Sequence, residues 1–490
     1  MWLVSDAGLP PDPSDVLPMG DGISRGRLRR TAPLAALSAR TAGEAVVVGL
    51  RSKLTSPERA ESQRTEFHIR TAERYTELLG RSKGVLMKAG QMLSFASINP
   101  AVPAEFQPIY QAALTRLRSD APPMAPELAR TVLEHDLGRR TESAFAEFDW
   151  EPLAAASIGQ VHAARLRDGR EVAVKIQYPG VAEAIGSDLK NSELLVTFLS
   201  LFVGGFSPWK LSFDLRGMAR EISVRITEEL DYRLEAANQA EFAEHYRGHP
   251  FIHVPETISE LCTDRVLTQE LVHGCGWSTA VDAEQELRDR WAEAIFRFVY
   301  GSNVRFRLLH ADPHPGNYRF HKDGSVSFLD FGCVKRFRRE HINAMGMIGN
   351  ECVHGDVLGT WRACVEAEFL RSSAPVSPEE VFAYWRGLLE MFWREQPLAF
   401  TPEHAASMAE HVFSPRGPAA NALRYSTPSP EYTVMTRIEL GVASLVAQLH
   451  ACNYWQSIAA EFYGGEEPFT EMGKLEHTFF AEREAASNYA

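Results

Sequence analysis

Two stretches decide the fold: His310-Ala311-Asp312-Pro313-His314-Pro315-Gly316-Asn317 and, shortly after, Leu329-Asp330-Phe331-Gly332. Asp312 is followed five residues later by Asn317, and Asp330 sits directly before Phe-Gly. Asp312 is a carboxylate suited to accepting a proton from a hydroxyl or water. Asp330 and Asn317 offer a charged and a neutral oxygen, the hard donors that magnesium prefers.

Working outward, Val161–Leu166 and Glu171–Gln177 read as two strands around the turn Arg167-Asp168-Gly169-Arg170, a hairpin signal. The second strand contains Val172-Ala173-Val174-Lys175. A lysine ending an apolar strand is commonly a surface side chain with a buried stem. Its reading changes because Val266–Val272 (VLTQELV) follows as a strand running into a short connector, and then come the two quoted stretches. That order matches protein kinases. It makes ATP and Mg2+ the expected cofactors. Lys175 neutralises the α/β-phosphates, Asp330 holds the metal, Asn317 completes its shell and Asp312 accepts the proton. The backbone of Glu270 and Val272 pairs with adenine, with Ala173 counted among the nucleotide contacts.

One kinase part is absent. In place of a glycine-rich phosphate loop stands Ala154-Ala155-Ala156-Ser157-Ile158-Gly159-Gln160. Alanine does not adopt positive-φ backbone at low cost, so this loop is expected to be stiffer. No Ala-Pro-Glu follows Asp330, and Cys333-Val334-Lys335-Arg336 runs straight on towards helices. A docking groove for a protein substrate is therefore not expected.

Taken together the residues resemble the UbiB/AarF family of atypical kinase-like proteins, whose eukaryotic members act in mitochondrial coenzyme Q biosynthesis. The resemblance rests on Lys88-Ala89-Gly90-Gln91, the Ala154–His162 loop, Glu229-Leu230-Asp231, the His310–Asn317 stretch and Asp330-Phe331-Gly332, spread over residues 75–340. It implies that helices carrying Lys88 and Gln91 fold over the substrate region as a gate, with Lys88 meeting Glu229 and Asp231. It implies as well that Glu235 pairs with Lys175. On one helix Glu229 and Glu235, six residues apart, stand about 240° around the axis from each other, on different faces and so with different partners.

Composition sets the outer limits. The 490 residues are 45% apolar and 23% charged, an ordinary globular balance, and the net charge of −13 argues against nucleic-acid binding. Residues 22–56 reverse the sign, with seven basic side chains against Glu44 alone and apolar residues at helical spacing. This segment suits peripheral contact with an anionic membrane. Six cysteines show no paired or zinc-like spacing, as expected for reduced thiols. The N-terminus lacks the apolar core of a signal peptide, and the apolar run Leu194–Phe206 is too short to span a bilayer. A cytoplasmic location, with or without peripheral membrane contact, is expected.

The reading is an α+β, protein-kinase-like two-lobe fold. Residues 1–21 are expected to be disordered, 22–56 a basic amphipathic segment, and 57–148 a helical extension bearing the Lys88–Gln91 motif. Residues 149–272 form the small lobe with inserted helices and hinge, and 273–490 a helical large lobe with no interpretable motif beyond about residue 340. The expected function is that of a magnesium-dependent atypical kinase or ATPase. By resemblance it supports quinone or isoprenoid-lipid metabolism, with such a lipid as a partner. The alternatives are a small-molecule or protein kinase and a non-catalytic ATP-dependent scaffold.

Overall fold

The computed structural model describes residues 27–52, 55–82, 106, 109, 123–156, 158–189, 195–196, 215–413, 419–426 and 430–488. The expectations placed on residues 1–21, on Lys88 and Gln91, on Ser157 and on most of Leu194–Phe206 lie outside these. The chain forms two compact units, residues 1–237 with 256–271, and residues 238–255 with 272–490.

The first unit is built on an antiparallel sheet of five strands: β1 (Phe145–Phe148), β2 (Ala154–Ala155), β3 (Gly159–Leu166), β4 (Glu171–Gln177) and β5 (Val266–Glu270). The order is β1-β3-β4-β5, with β2 pairing on β3. The β3–β4 turn is the one expected: Gly169 takes φ +92, and the Arg170 amide donates to Asp168 Oδ1 at 3.0 Å. Strand period is two, so Val172, Val174 and Ile176 all face one side and are fully buried, whereas Lys175 faces the other. Against the apolar side packs the helix Pro126–Leu137, with Ala129, Val132 and Leu133 on its inner face. Proline opens that helix and Gly138, at φ +62, closes it. Both β1 and this helix belong to the sheet's core, although the sequence reading assigns them to the helical extension.

Two further helices, Arg27–Ser52 and Pro57–Ser82, form an antiparallel-type pair tied by Arg74 to Glu44 at 2.7 Å. Val46, Val47 and Leu50 stay 62%, 46% and 59% exposed on the first.

One expectation needs correction. Glu229 and Glu235 do not share a helix: Leu215–Glu229 ends, the chain turns at Leu230-Asp231, and Tyr232–Tyr246 begins. Asp231 Oδ1 accepts from the Leu234 amide at 3.0 Å, an N-cap. Gln177 on β4 donates to the Leu230 carbonyl at 3.1 Å, fixing the break to the sheet. Glu229 and Glu235 are therefore separated by a helix break and not by rotation around one axis.

The second unit is mainly helical around a large apolar core that includes Phe242, Phe298, Phe328, Phe331, Tyr384 and Trp455. Two small strand pairs frame its functional loops. Leu308–His310 pairs with Val334–Arg336, and Tyr318–Phe320 with Val326–Phe328, the latter also taking Ile252–His253 in parallel. The pairing of Leu308–His310 with Val334–Arg336 was not anticipated. Beneath them a buried charge cluster centres on Arg297. It donates to Glu293 (2.7 Å), to Glu461 (2.6 and 3.1 Å), to Glu476 (3.0 Å) and to Thr470 (2.9 Å). All six cysteines are free. Among the described residues no helix is long and apolar enough to cross a membrane.

Candidate functional site

In the sheet unit, Lys175 stands on the face of β4 away from the apolar core and ion-pairs with Glu235. Its Nζ lies 2.8 and 2.9 Å from the two carboxylate oxygens and 4.8 Å from the centre of the Tyr232 ring. Glu235 is 2% exposed, and Lys175 is 17% exposed. The register places Lys175 between Val161 and Leu267. The helix restart at Asp231 puts Glu235 in the first turn of Tyr232–Tyr246, a position that favours a carboxylate. Glu229 ends the preceding helix and Asp231 is exposed beside it.

The alanine-rich loop is a tight hairpin. Ala154 pairs with Val161 and Ala155 with Gln160, and the Ala156 amide donates to the Gly159 carbonyl at 2.8 Å. Gly159 is required by packing, not by φ, because a Cβ there would overlap the Ile176 carbonyl on the adjacent strand. Ile158 is buried, and its carbonyl accepts from the Tyr178 amide. Gln160 is fully buried, and its side chain is committed inward. Its Oε1 accepts from the Met124 amide (2.7 Å), its Nε2 donates to His162 Nε2 (2.8 Å), and His162 Nδ1 donates to the Asp149 carbonyl (2.9 Å). This chain of bonds requires neutral His162, and burial lowers its pKa accordingly. Any contact of Gln160 with a nucleotide is thus confined to its main chain. Sequence reading missed His162 as the partner that orients Gln160.

At the end of β5 the Glu270 amide donates to the Glu256 carbonyl, and the Leu271 amide donates to the Glu171 carbonyl, prolonging the pairing with β4. Ala173 is buried on β4 opposite Gln269, and Val272 begins the connector.

In the helical unit, Asp312 follows the strand Leu308–His310, and the single turn Pro315–Asn317 brings Asn317 back to it. Asn317 Nδ2 donates to Asp312 Oδ2 at 3.1 Å, and Gly316 donates to His314 Nδ1 at 3.0 Å. The Asn317 carbonyl accepts from the Leu329 amide, anchoring the loop to the strand that leads into Asp330. Asp330 Oδ1 accepts from the Gly332 amide (3.0 Å), and its carbonyl is bonded to His310 Nε2 (2.7 Å). Phe331 is fully buried against Phe242, Phe298 and His310, and its carbonyl accepts from Asn238. Tyr318 was also missed: burial first, and the Asp312 carboxylate second, push its hydroxyl pKa well above the usual value.

The donor set fits magnesium. With its Nδ2 engaged by Asp312, Asn317 presents its amide oxygen, and Asp330 adds carboxylate oxygen. Among the described residues no group of three or more His, Cys, Asp or Glu could hold a metal, so no all-protein cage is present. Two protein ligands suffice for a hard ion that keeps water and phosphate oxygens in its shell.

A strand lysine held by a helical glutamate, and an Asp–Asn loop followed by Asp-Phe-Gly, define a kinase-like protein. Residues 116–361 match the ABC1 atypical kinase-like domain, half of the chain, and the chain belongs to this family, also known as UbiB/AarF. It is similar to the mitochondrial atypical kinase COQ8B of Rattus norvegicus, 36% identical over 270 residues, covering 55% of this chain and 49% of that protein. It is similar as well to the mitochondrial atypical kinase COQ8 of Saccharomyces cerevisiae, 32% identical over 271 residues, covering 55% and 52%. The chain spans about half the length of the curated relatives it matches. Among solved structures it resembles the complex of Rv3197 with erythromycin from Mycobacterium tuberculosis. That match has a TM-score of 0.58 and 30% identity, and covers 83% of this chain and 98% of that one.

Proposed function

We propose that the chain is a magnesium-dependent ATPase of the atypical kinase type that supports quinone or isoprenoid-lipid metabolism at a membrane surface. The observation that carries the reading is the Lys175–Glu235 pair, a cation oriented by a buried carboxylate at two short distances. Such a lysine is pre-aimed and loses little freedom when phosphate oxygens approach it. In this reading Lys175 neutralises the α/β-phosphates and the alanine-rich hairpin contributes main-chain contacts. Glu270 and Val272 hold the adenine through their backbone. Asn317 and Asp330 hold magnesium, which when bound supplies charge neutralisation on the phosphates. Asp312, oriented by Asn317, accepts the proton of the attacking water or hydroxyl. Lys88, Gln91, Glu229 and Asp231 serve as the gate.

The lipid part of the proposal draws on the COQ8 relatives and on the exposed row Val46, Val47 and Leu50, flanked by Arg51 at the end of a basic helix. An apolar row beside basic side chains suits the interface of an anionic bilayer.

The test is magnesium-dependent phosphate release from ATP by the full chain and by Asp330→Asn, with and without anionic-lipid vesicles. Turnover that rises with vesicles and is lost in the variant is expected. Tight nucleotide binding with no turnover in either condition would replace the ATPase reading with a non-catalytic scaffold.

A further inference from the structure

The helix Pro430–Gln448 lies beyond the residues matched by the family domain, and the sequence motifs assign it no role. Its side chains nevertheless reach the loop that carries Asp312. Arg437 donates through a terminal guanidinium nitrogen to the Ala311 carbonyl at 2.6 Å. The Ala311 amide donates to the Cys333 carbonyl at 2.9 Å. The residue immediately before Asp312 is thus held at both its amide and its carbonyl. One turn along the same helix face, Gly441 abuts Pro313, the residue immediately after Asp312. A Cβ at position 441 would lie 2.7 Å from Pro313 Cγ. On the opposite face Glu439 accepts from the buried Tyr300 hydroxyl at 2.5 Å, inside the π-helical turn Arg297–Gly301, which fixes the helix's rotation.

We infer that Arg437 is a positioning residue for Asp312, with Gly441 providing the space that lets the helix approach the loop. This rests on the role given to Asp312 in the proposed function. The guanidinium stays charged throughout the working pH range, so the restraint does not switch off with pH. A charged donor on a carbonyl is stronger than a neutral one, which suits a bond that must hold a loop still during turnover.

The experiment uses the full chain with Arg437→Ala, Arg437→Lys and Gly441→Val, read in two ways. Hydrogen exchange should accelerate by about tenfold or more in peptides covering residues 308–317 of Arg437→Ala, while peptides covering 171–177 stay as in the parent. Magnesium-dependent phosphate release should show kcat lowered by about tenfold with KM for ATP within about twofold, since ground-state nucleotide contacts are untouched. Arg437→Lys should recover part of both. Unchanged exchange at 308–317 together with unchanged kcat in Arg437→Ala would overturn the inference. If the parent chain shows no turnover, the ATPase reading fails, and the exchange result alone decides the role of Arg437. If Arg437→Ala fails to fold, Gly441→Val decides, because it presses on Pro313 from the same helix and should give the same exchange signature.

Discussion

Two cations held by buried carboxylates in this chain do different work. Arg297 is fully buried and meets three carboxylates and a threonine hydroxyl, with Glu293, Glu461, Glu476 and Thr470 drawn from three separate parts of the helical unit. Lys175 meets the Glu235 carboxylate and keeps part of its side chain accessible. The arginine joins distant segments, including the helix Glu471–Asn488, into one core; every direction of its planar fork is used. The lysine is oriented by Glu235 and keeps 17% of its side chain accessible. The accessible fraction, rather than the presence of a buried acid as such, separates a cation that holds the fold from one suited to chemistry.

Replacing Arg297 with Met should have the largest effect on folding. Three carboxylates would be left without their shared cation, a cost of about 3–5 kcal/mol, read in urea denaturation of the helical unit. Stability close to the parent would show that the cluster relaxes into solvent and that the contrast with Lys175 is false. Lys175→Met should divide differently. Phosphate release should fall by about a hundredfold, while stability drops by only about 1–2 kcal/mol as buried Glu235 loses its partner. Equal losses in the two variants' denaturation midpoints would make Lys175 a structural cation too.

The smallest effect concerns the buried carboxylate of Glu439. Burial raises the Glu439 pKa to about 7, while its bond from Tyr300 acts the other way. The folded chain therefore keeps a proton that the unfolded chain has released, and stability falls as pH rises from about 4.5 to about 7, then levels off. Gln at this position accepts the same Tyr300 bond and has no proton to lose. The difference in melting temperature, Glu439→Gln minus parent, should grow through that window, and a difference independent of pH would show that Glu439 is already ionised.

How much of this was legible in the sequence depended on distance along the chain. The Arg167–Arg170 turn, the strand lysine and the Asp312–Asn317 and Asp330–Gly332 stretches are local patterns, and the structure folds each as a local unit. The break at Leu230-Asp231 is hidden in the sequence, because the apolar period Ile222, Ile226, Leu230, Leu234 continues across it. The deciding signals are an aspartate cap and a bond from Gln177, 53 residues earlier. The cap could have been found, since Asp before a helical stretch is a start signal. The Arg297 bonds to Glu461, Glu476 and Thr470 and the Arg437 bond to Ala311 join residues more than a hundred positions apart, and no periodicity encodes them. By sequence Gln160 falls in a phosphate cradle because its loop occupies that position; the inward commitment of its side chain depends on Met124 and His162.

The interleaving of the two compact units bears on synthesis. The sheet needs β5, yet residues 238–255, which belong to the other unit, leave the ribosome before it. During translation the β3–β4 hairpin must therefore wait with one edge of β4 unpaired until residue 270 emerges. Exposed edges of this kind are where nascent chains pair wrongly. The synthesis of the stretch from Gln177 to Val266 is consequently the interval in which that edge of β4 stays open.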